Sequence, residues 1–326
     1  MKHIRREGAT MQESTRSYLK AARRGAEWLL TRQNTDGSFV QPDMQADVYH
    51  KAGLALALSG HAAEAQRLLN WIKANDLQPD GRLRRFDDGL ALYKTSWICQ
   101  GAHRLGRFDL SLPVMDYILS CQAPCGGFYQ TRELTEFVEP VCTAWAGVCA
   151  IYAGHMDAAR QTAECLARMV VEQPDPMRFY VRMTPDGELI TAEGAPFVDA
   201  HATQQAYYCP GIAHQFFMRL HMATGSAAYL RLAGDLFEFS LRCADDRYAF
   251  PTAGKSAVAA ALQYMATGDA RARDAAREFA DYELSQQDDD GWWANPNGDN
   301  TIIRLDHTAE FVVWLTDIAG ILGGLD

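Results

Sequence analysis

The chain lacks the long apolar runs and basic clusters that would point to a membrane or a nucleic acid. No apolar stretch in its 326 residues approaches the roughly 20 residues that a bilayer-spanning helix needs. The net charge is −10 and the pI about 5.4, with no Lys/Arg-rich run, which disfavours a general nucleic-acid surface. Residues 1–8 are polar and have no apolar core behind them. We therefore expect no export signal and a cytoplasmic protein.

The eight cysteines also lack a metal-binding arrangement. Cys121 and Cys125 are spaced C-x3-C across a turn, but no second Cys/His pair with matching spacing accompanies them. Most of the other cysteines lie in apolar helical contexts. We therefore expect free, buried thiols in a reducing compartment.

What the chain does contain is a repeated motif, in which an amphipathic helix ends in Gln and a Gly-containing turn then delivers an aromatic residue. Copies run over 24–39, 117–128 and 282–293, and a degraded copy runs over 71–83. The Gln amide can bond backbone groups that lack partners at a helix end. The Gly permits positive φ, and the aromatic side chain can fold back as an anchor. We interpret the motif as a structural clamp and not as a substrate site.

The copy at 24–39 resembles the QW repeat of the terpenoid cyclase and protein prenyltransferase superfamily. That repeat runs basic-Gly, aromatic-Leu, Gln, then Gly-x-aromatic, and the matching residues are Arg24, Gly25, Trp28, Leu29, Gln33, Gly37 and Phe39. Phe39 stands where Trp is usual, and the copies at 117 and 282 lack the leading basic-Gly pair. The resemblance implies an α/α toroid and does not specify a reaction.

Glycines that separate an apolar helix from an amphipathic one recur about every 46 residues, with one longer interval, which is the signature of stacked helical hairpins. These glycines are Gly60, Gly106, Gly154, Gly225 and Gly268. Helices that are apolar all round are assigned to an inner ring, and those with a polar stripe to an outer ring. The inner set is roughly 47–59, 90–105, 140–153, 200–224, 252–267 and 306–322. The outer set is roughly 14–33, 61–75, 109–122, 157–172, 227–243 and 269–287.

Six inner and six outer helices predict an all-α (α/α)6 toroid that forms a single domain over 1–326. An open solenoid is the competing architecture, but the chain begins with an outer helix and ends with an inner one, so the two can pair. Residues 1–13 are predicted to be a loose, polar N-terminus. The longer interval contains an insertion at 173–199 with a β-hairpin near 178–191, centred on a Pro-Asp-Gly turn. This insertion and the turn-rich loop at 288–303 are candidate lids over the pocket.

In such a toroid the inner helices run parallel, so their N-termini meet at one mouth, where the helix dipoles add positive potential. Three inner helices open with an acid followed closely by a histidine. We predict that these pairs, together with Glu310, are the catalytic residues: Asp47 and His50, Asp199 and His201, Asp306 and His307.

Other residues near the same helix ends are predicted to bind substrate. Aromatic side chains would shape a largely apolar cavity, and these include Tyr49, Tyr93, Trp97 and Trp145. Lys94, Lys255 and Arg304 would hold an anionic group on a small-molecule substrate. Asp88, Glu139 and Gln204 complete the predicted set.

Three interpretations of the histidines remain open at this point. In the first, which needs no cofactor, each His is a general acid or base near neutral pH and an Asp orients it. In the second, His50, His201 and His307 converge on a metal with Asp or Glu. In the third, each His is structural and each Asp is an ordinary helix N-cap.

The superfamily's catalytic motifs are not in place. Class II terpene cyclases protonate their substrate with Asp-x-Asp-Asp, but the acidic run at 288–290 lies in a clamp turn and the acidic pair at 87–88 lacks the preceding Asp. His307-Thr308 is similar to a zinc-binding His-Thr of protein farnesyltransferase β subunits, but the companion Asp-x-Cys is replaced by residues 251–255. The class I motif Asp-Asp-x-x-Asp is absent too. Neither zinc-dependent prenylation nor squalene–hopene-type cyclisation is therefore carried over.

We predict a cyclase- or isomerase-like enzyme of specialised metabolism that uses Asp–His acid/base pairs on a small, partly apolar, anionic substrate. The first alternative is a cytosolic sugar epimerase or unsaturated-uronyl hydrolase, because such enzymes also use (α/α)6 barrels. The second is a non-catalytic scaffold. A terpenoid substrate needs a dry, aromatic-walled cavity, whereas a sugar needs an open polar cleft. The sequence gives no indication of the oligomeric state.

Overall fold

The computed structural model describes residues 2–39, 46–86, 89–294 and 299–324. Twelve α-helices lie in these ranges: α1 (Lys2–Arg32), α2 (Ala52–Leu58), α3 (Ala62–Asn75), α4 (Ala91–Arg104), α5 (Phe108–Ser120), α6 (Pro140–Ala153), α7 (Met156–Val171), α8 (Tyr208–Thr224), α9 (Ala227–Arg242), α10 (Gly254–Thr267), α11 (Ala270–Gln286) and α12 (Thr301–Gly323). Two short 3-10 helices, Ala46–Val48 and Pro251–Ala253, precede α2 and α10.

The even-numbered helices form a closed inner ring. Each packs on the next, from α2 through α4, α6, α8 and α10 to α12, and α12 packs back on α2. The odd-numbered helices surround them, and α1 packs along α12. The predicted (α/α)6 toroid and the pairing of the first outer helix with the last inner one are therefore confirmed.

Burial follows the apolar pattern that separated the two rings in the sequence. In the inner helix α6, residues 140–150 are all buried, as expected for a helix enclosed on every side. The outer helix α7 buries one face, which carries Ala159, Ala163 and Leu166 at helical spacing. The glycines that end five inner helices all have positive φ, from 68° to 86°, which matches their predicted role as turn residues.

The clamp motif has a definite structural role. In its three full copies, the Gln side chain donates to the Gly carbonyl of its own turn and to a carbonyl of the neighbouring outer helix. Gln33 bonds Gly37 O and Glu64 O at 3.2 and 3.0 Å. Gln122 bonds Gly126 O and Ala158 O in the same way, and Gln287 bonds Gly291 O and Ala21 O. The Gln287 copy links α11 to α1 and so helps to close the ring.

Several predicted boundaries are wrong. The first helix begins at Lys2, not near 14, so the segment 1–13 is not a loose N-terminus over its described residues. The first inner helix begins at Ala52, because residues 46–51 form a 3-10 helix and a turn. The fourth begins at Tyr208 and not near 200. The last begins at Thr301, where the Asn300 side chain accepts a hydrogen bond from the Ile303 amide and caps the helix.

The insertion at 173–199 contains a two-stranded antiparallel sheet, but its register differs from the prediction. Strands β1 (Arg178–Tyr180) and β2 (Phe197–Asp199) pair at the two ends of the segment. The predicted Pro-Asp-Gly turn lies between them and closes only an isolated bridge between Met183 and Leu189. Because Asp199 is paired in β2 and the Ala200 amide bonds Met177 O, the chain cannot start a helix at 200.

The loop at 288–303 begins as a clamp turn. Trp293 is fully buried, and its indole N–H donates to Glu283 O at 2.8 Å. Residues 295–298 of this candidate lid lie outside the described ranges. No helix in the described part of the chain is both long enough and apolar enough to cross a bilayer.

Candidate functional site

The N-terminal ends of four inner helices bring together seven charged or titratable side chains. We call this group the charged cluster, and its members are Asp47, His50, Lys51, Lys94, Lys255, Asp306 and Glu310. They come from the segment before α2, from α4, from α10 and from α12. Because the inner helices are parallel, residues far apart in sequence meet at this mouth.

Lys51 lies at the centre of the charged cluster. Its Nζ is 2.8 Å from Asp306 Oδ2 and 2.5 Å from Glu310 Oε2, and its side chain is only 5% exposed. Burial of an ammonium group costs several kcal/mol unless it is well paired. Burial acts to lower the pKa of Lys51, but the two carboxylates more than offset it and raise the pKa. The lysine is therefore charged at neutral pH.

Glu310 is the common partner of two lysines. Its Oε1 is 2.6 Å from Lys255 Nζ and accepts a hydrogen bond from Trp314 Nε1 at 3.0 Å. Burial acts to raise the pKa of Glu310, but Lys255 and Lys51 hold it well below its usual value. Lys255 also lies over the rings of Tyr93 and Trp314, at 5.4 Å from each centroid. Glu310 is thus a permanent carboxylate that orients both lysines.

Asp306 differs from Glu310 because it titrates near neutral pH. Burial raises the pKa of Asp306 to about 6, although Lys51 acts to lower it. Its Oδ1 is 3.6 Å from Nε2 of His50, whose ring is buried edge-on to Tyr93 and Trp97. A carboxyl group with this pKa can give up or take a proton at physiological pH.

Asp47 completes the charged cluster and forms an ion pair with Lys94 at 2.8 Å. The potential metal-ligand atoms of Asp47, His50 and Asp306 all lie within 4.8 Å of one another. The carboxylates of Asp47 and Asp306, however, already pair with the ammonium groups of Lys94 and Lys51. Within the described ranges neither His201 nor His307, the other two histidines of the alternative metal interpretation, belongs to this group.

His307 lies next to the charged cluster as a neutral imidazole. Burial lowers its pKa to about 4, with further lowering by Lys51 and Lys255. Its ring packs edge-on against Phe311, with 5.5 Å between centroids. At neutral pH it can accept or donate a hydrogen bond without carrying charge.

Three tryptophans fill the centre of the toroid below the charged cluster. The ring centroids of Trp97, Trp145 and Trp314 are 4.9 to 6.0 Å apart, and all three side chains are almost completely buried. Trp97 and Trp145 were predicted to line an apolar cavity at this mouth. They form instead a packed floor together with Trp314.

A cavity of about 230 Å³ lies on the other side of this floor, towards the C-terminal ends of the inner helices. Trp145 and Trp314 line its inner end, and Arg104, Arg219 and Asp317 lie among its polar residues. Arg219 is 3.6 Å from Asp317 and donates a hydrogen bond to the Tyr152 hydroxyl. Burial raises the pKa of Asp317. No pocket was predicted at this end of the barrel.

The second predicted acid–histidine pair lies apart from the charged cluster. Asp199 ends β2, and its Oδ1 accepts a hydrogen bond from the His201 amide at 2.9 Å. The His201 side chain is exposed. Gln204 is also exposed and has a positive φ of 56°. Its backbone N–H donates a hydrogen bond to Asp246 Oδ2. The pair is displaced because α8 starts at 208.

Other predicted substrate-binding residues have structural partners. Tyr49 stacks on Trp71 of the outer ring at 4.8 Å and so lies away from the mouth. Arg304 forms an ion pair with Asp299 at 2.5 Å and covers a tryptophan ring. Asp88 lies outside the described residues.

Glu139 and Tyr208 add a polar edge near the charged cluster. Burial raises the pKa of Glu139, whose carboxylate accepts a hydrogen bond from Gln130 at 3.1 Å. The Lys255 ammonium is 5.8 Å from the centroid of the Tyr208 ring. Cys209, together with burial, raises the pKa of Tyr208 to about 12, so its hydroxyl remains protonated.

Sequence reasoning missed Lys51 and Tyr208. Lys51 stands in an otherwise apolar stretch, directly after His50. A lysine in a helix assigned to the inner ring must find carboxylate partners or remain uncharged. A lone lysine in an apolar inner segment was therefore the feature of the sequence from which Lys51 could have been predicted as a residue of the mouth.

Solved structures with the same fold include several toroid enzymes. A D-mannose isomerase superposes with a TM-score of 0.67 at 12% identity, over 94% of this chain and 98% of that chain. The α-1,6-mannanase GH76A of Salegentibacter sp. HEL1_6, in complex with α-1,6-mannotetrose, gives 0.66 at 12% identity over 93% and 99%. The type II terpene cyclase MstE of Scytonema, in complex with merosterolic acid A, gives 0.61 at 15% identity over 96% and 99%.

At these identities the similarity establishes the fold, and the chain adopts the architecture of (α/α)6 toroid enzymes. Neither a protein-family model nor a curated protein sequence matches the chain.

Proposed function

We propose that this protein is an isomerase-type enzyme that transfers a proton on a small, hydroxyl-bearing, sugar-like substrate at the mouth formed by the charged cluster. The observation that carries the proposal is the Asp306 carboxyl group, whose pKa burial raises to about 6 and which lies 3.6 Å from His50. In its ionised form Asp306 can remove a proton from a carbon next to a carbonyl group. Protonated, it can return that proton to the former carbonyl carbon, and isomerisation is complete when the hydroxyl proton of the first carbon passes to the former carbonyl oxygen.

The lysines supply the electrostatic part of this chemistry. Proton removal next to a carbonyl places negative charge on the carbonyl oxygen. Lys51, held 2.8 Å from Asp306, provides a fixed positive charge beside the base. A preorganised charge in a largely buried site stabilises such an anion without a cost of reorganisation.

Charge balance supports a neutral substrate over the anionic one expected from the sequence. Within the charged cluster three lysines face three carboxylates, and each lysine is paired within 2.8 Å. An anionic ligand would have to displace a carboxylate from a lysine, whereas sugar hydroxyl groups can bond to both without breaking the pairs. The D-mannose isomerase and mannanase neighbours fit this substrate class.

The cyclase hypothesis receives less support from the geometry. Protonation of an alkene requires a strong acid, and a carboxyl group whose pKa is raised to about 6 is a weaker acid than usual. The tryptophans below the cluster pack on one another, with 4.9 to 6.0 Å between ring centroids. The scaffold hypothesis gives no reason for burying so many charges at one end of the barrel.

The test is solvent exchange on a panel of aldoses and ketoses, beginning with D-mannose. Purified protein is incubated with each sugar in D2O, and NMR follows deuterium incorporation at carbon 2 of the aldoses and carbon 1 of the ketoses, together with formation of the isomer. We expect exchange with at least one neutral sugar. Asp306→Asn should lower the rate by about 10²- to 10⁴-fold, the range typical for loss of a general acid or base.

Asp157→Asn is the matched control, because Asp157 is a fully exposed carboxylate on the outer helix α7. It should leave the rate unchanged. Exchange that persists at the full rate in Asp306→Asn would remove Asp306 from the mechanism. Turnover of a prenylated substrate with no exchange on any sugar would favour the cyclase hypothesis instead.

A further inference from the structure

Two thiols that the sequence does not place together meet at one clamp turn. Cys125 lies in the turn after α5, and Cys165 lies on the outer helix α7. Their Sγ atoms are 3.7 Å apart, and both cysteines are free thiols. A disulfide has an S–S bond of about 2.05 Å, so the two sulfurs have to approach by less than 2 Å to form one. The C-x3-C pair of the sequence, Cys121 and Cys125, is not the pair in contact.

The Cys125 thiol has the surroundings of a nucleophile. The Gly127 amide donates a hydrogen bond to its Sγ at 3.5 Å, and the Arg168 guanidinium is held beside the turn by a bond to Cys125 O at 2.9 Å. The hydrogen bond from Cys165 lowers the pKa of Cys125 to about 6. Cys125 is 7% exposed and lines a surface groove together with Gln161 and Glu164, which places a small disulfide in that groove next to the turn.

Cys165 is placed as the second, resolving thiol. It is fully buried behind Cys125, with Met183 Sδ 4.0 Å away on its other side. The contact with Cys125 raises the pKa of Cys165, so this thiol keeps its proton while Cys125 is the thiolate. A nucleophile that lines a surface groove and a shielded partner behind it are what a two-step disulfide exchange requires.

The other cysteines lack this arrangement. Cys99 and Cys149 are neighbours on two inner helices, but Cys149 donates to Ser96 O and Cys99 to Ser111 O, and their contact raises the pKa of Cys99. Burial raises the pKa of Cys121 to about 11. A lowered thiol pKa and a place beside a surface groove therefore coincide at Cys125.

We propose that Cys125 and Cys165 form a reversible disulfide with low-molecular-weight disulfides such as oxidised glutathione. The Cys125 thiolate attacks one sulfur of the oxidant, which releases one glutathione thiolate and leaves a mixed disulfide. Cys165 then loses its proton to solvent and attacks Cys125 Sγ, which releases the second glutathione. The protein dithiol is oxidised by two electrons, and one glutathione disulfide is reduced to two thiols.

The disulfide would fix the junction between α5, α7 and the insertion. The Cys125 amide bonds Pro185 O at 3.0 Å. The Arg168 guanidinium packs against Gly187 at the tip of the insertion. A covalent link at this point therefore joins the clamp turn to α7, next to the hydrogen-bonded tip of the insertion, which was a candidate lid. Oxidation would change the freedom of that segment without touching the charged cluster.

The experiment equilibrates the full-length protein in glutathione buffers of increasing oxidised-to-reduced ratio, followed by acid quench, alkylation and intact mass measurement. We expect loss of two of the eight thiols in one step, reversal by dithiothreitol, and a single cross-linked peptide pair containing Cys125 and Cys165. Cys165→Ser should stop at the mixed disulfide and carry one glutathione on Cys125. Cys125→Ser should lose no thiols in the same range.

Cys121→Ser is the matched control, because it removes a buried thiol from the same turn and should still lose two thiols. The proposal is overturned if wild-type protein keeps all eight thiols under the most oxidising buffer, or if the cross-linked peptides contain a different pair. These mass measurements on wild-type protein decide the question even where a serine variant does not fold.

Discussion

Lys51→Met is the substitution that tests most directly how the charged cluster is held together. It removes an ammonium group that contacts Asp306 at 2.8 Å and Glu310 at 2.5 Å, while methionine replaces most of the buried methylene volume. Loss of one partner from a buried ion pair costs about 3–5 kcal/mol, because the remaining charge stays buried. We expect a loss of that size in the free energy of unfolding at pH 8.

The matched control is Lys73→Met. Lys73 makes an ion pair of similar length, 2.7 Å to Asp109, but its side chain is 41% exposed, against 5% for Lys51. Exposed pairs contribute about 0–1 kcal/mol. Urea titrations of both variants and wild type, monitored by circular dichroism, give the comparison. A cost for Lys51→Met no greater than that for Lys73→Met would refute the account of the cluster.

The pH dependence adds a second criterion. Without Lys51 the pKa of Asp306 should rise above the value of about 6 that it has in the native protein. A carboxyl group whose folded-state pKa exceeds its unfolded value binds a proton more tightly when folded, so its contribution to stability is lost as pH rises through the folded pKa. The deficit of Lys51→Met relative to wild type should therefore shrink from pH 8 towards pH 5. A deficit that is independent of pH would contradict this reasoning.

Three further outcomes are expected. Gly81→Ala should lower the free energy of unfolding by about 1–3 kcal/mol more than Gly60→Ala does. Both glycines have φ near 85°, but only at Gly81 would a Cβ collide with a backbone carbonyl. Equal losses in the two variants would contradict the steric argument. Burial lowers the pKa of His214 to about 4, so its NMR signals should titrate near that pH. The unfolding free energy should fall by on the order of 3 kcal/mol as pH drops from about 6.5 towards 4, because the unfolded histidine binds the proton more tightly. Titration of His214 near pH 6.5 would argue against its burial. If Asp306 is the base, kcat/KM for an active sugar should fall below about pH 6, and the midpoint should move to higher pH in Lys51→Met.

The ring architecture could be predicted from the sequence because two independent patterns agree. Regularly spaced glycines mark where inner helices end, and the all-round apolar character of segments such as α6 distinguishes inner from outer helices. Both patterns are local consequences of burial and backbone geometry. The closed ring followed from the order of the elements, since an outer helix comes first and an inner helix last.

The helix starts were less predictable, and the candidate site depends on them. An apolar run does not show whether its first residues are helical. Residues 48–51 are buried but belong to a 3-10 helix and a turn, and residues 200–207 follow β2, whose pairing with β1 ends at Asp199. The prediction that three acid–histidine pairs occupy equivalent positions assumed that each pair lies at the first residues of its inner helix. Two pairs reach the same mouth, and the pair at Asp199 and His201 does not.

The ion pairs of the mouth could not be predicted from sequence because each joins residues that are distant along the chain. Lys51 and Asp306 are separated by 255 positions. Sequence patterns of helical period relate only residues within a few turns of one another. The partner of a buried lysine becomes known only when the geometry of the closed ring is known.

The pairing of α1 with α12 has a consequence for how the chain reaches its final form. The main neighbour of the first helix is the last one, and the Gln287 amide and the Arg24 guanidinium join the two ends of the sequence by hydrogen bonds. During synthesis α1 emerges long before α12 and the turn after α11 exist. Its apolar face therefore stays uncovered by these partners while the ten helices α2 to α11 are made. Completion of the barrel is therefore a late, long-range step, and a chaperone that shields α1 would act on the part of the molecule most exposed to misassembly.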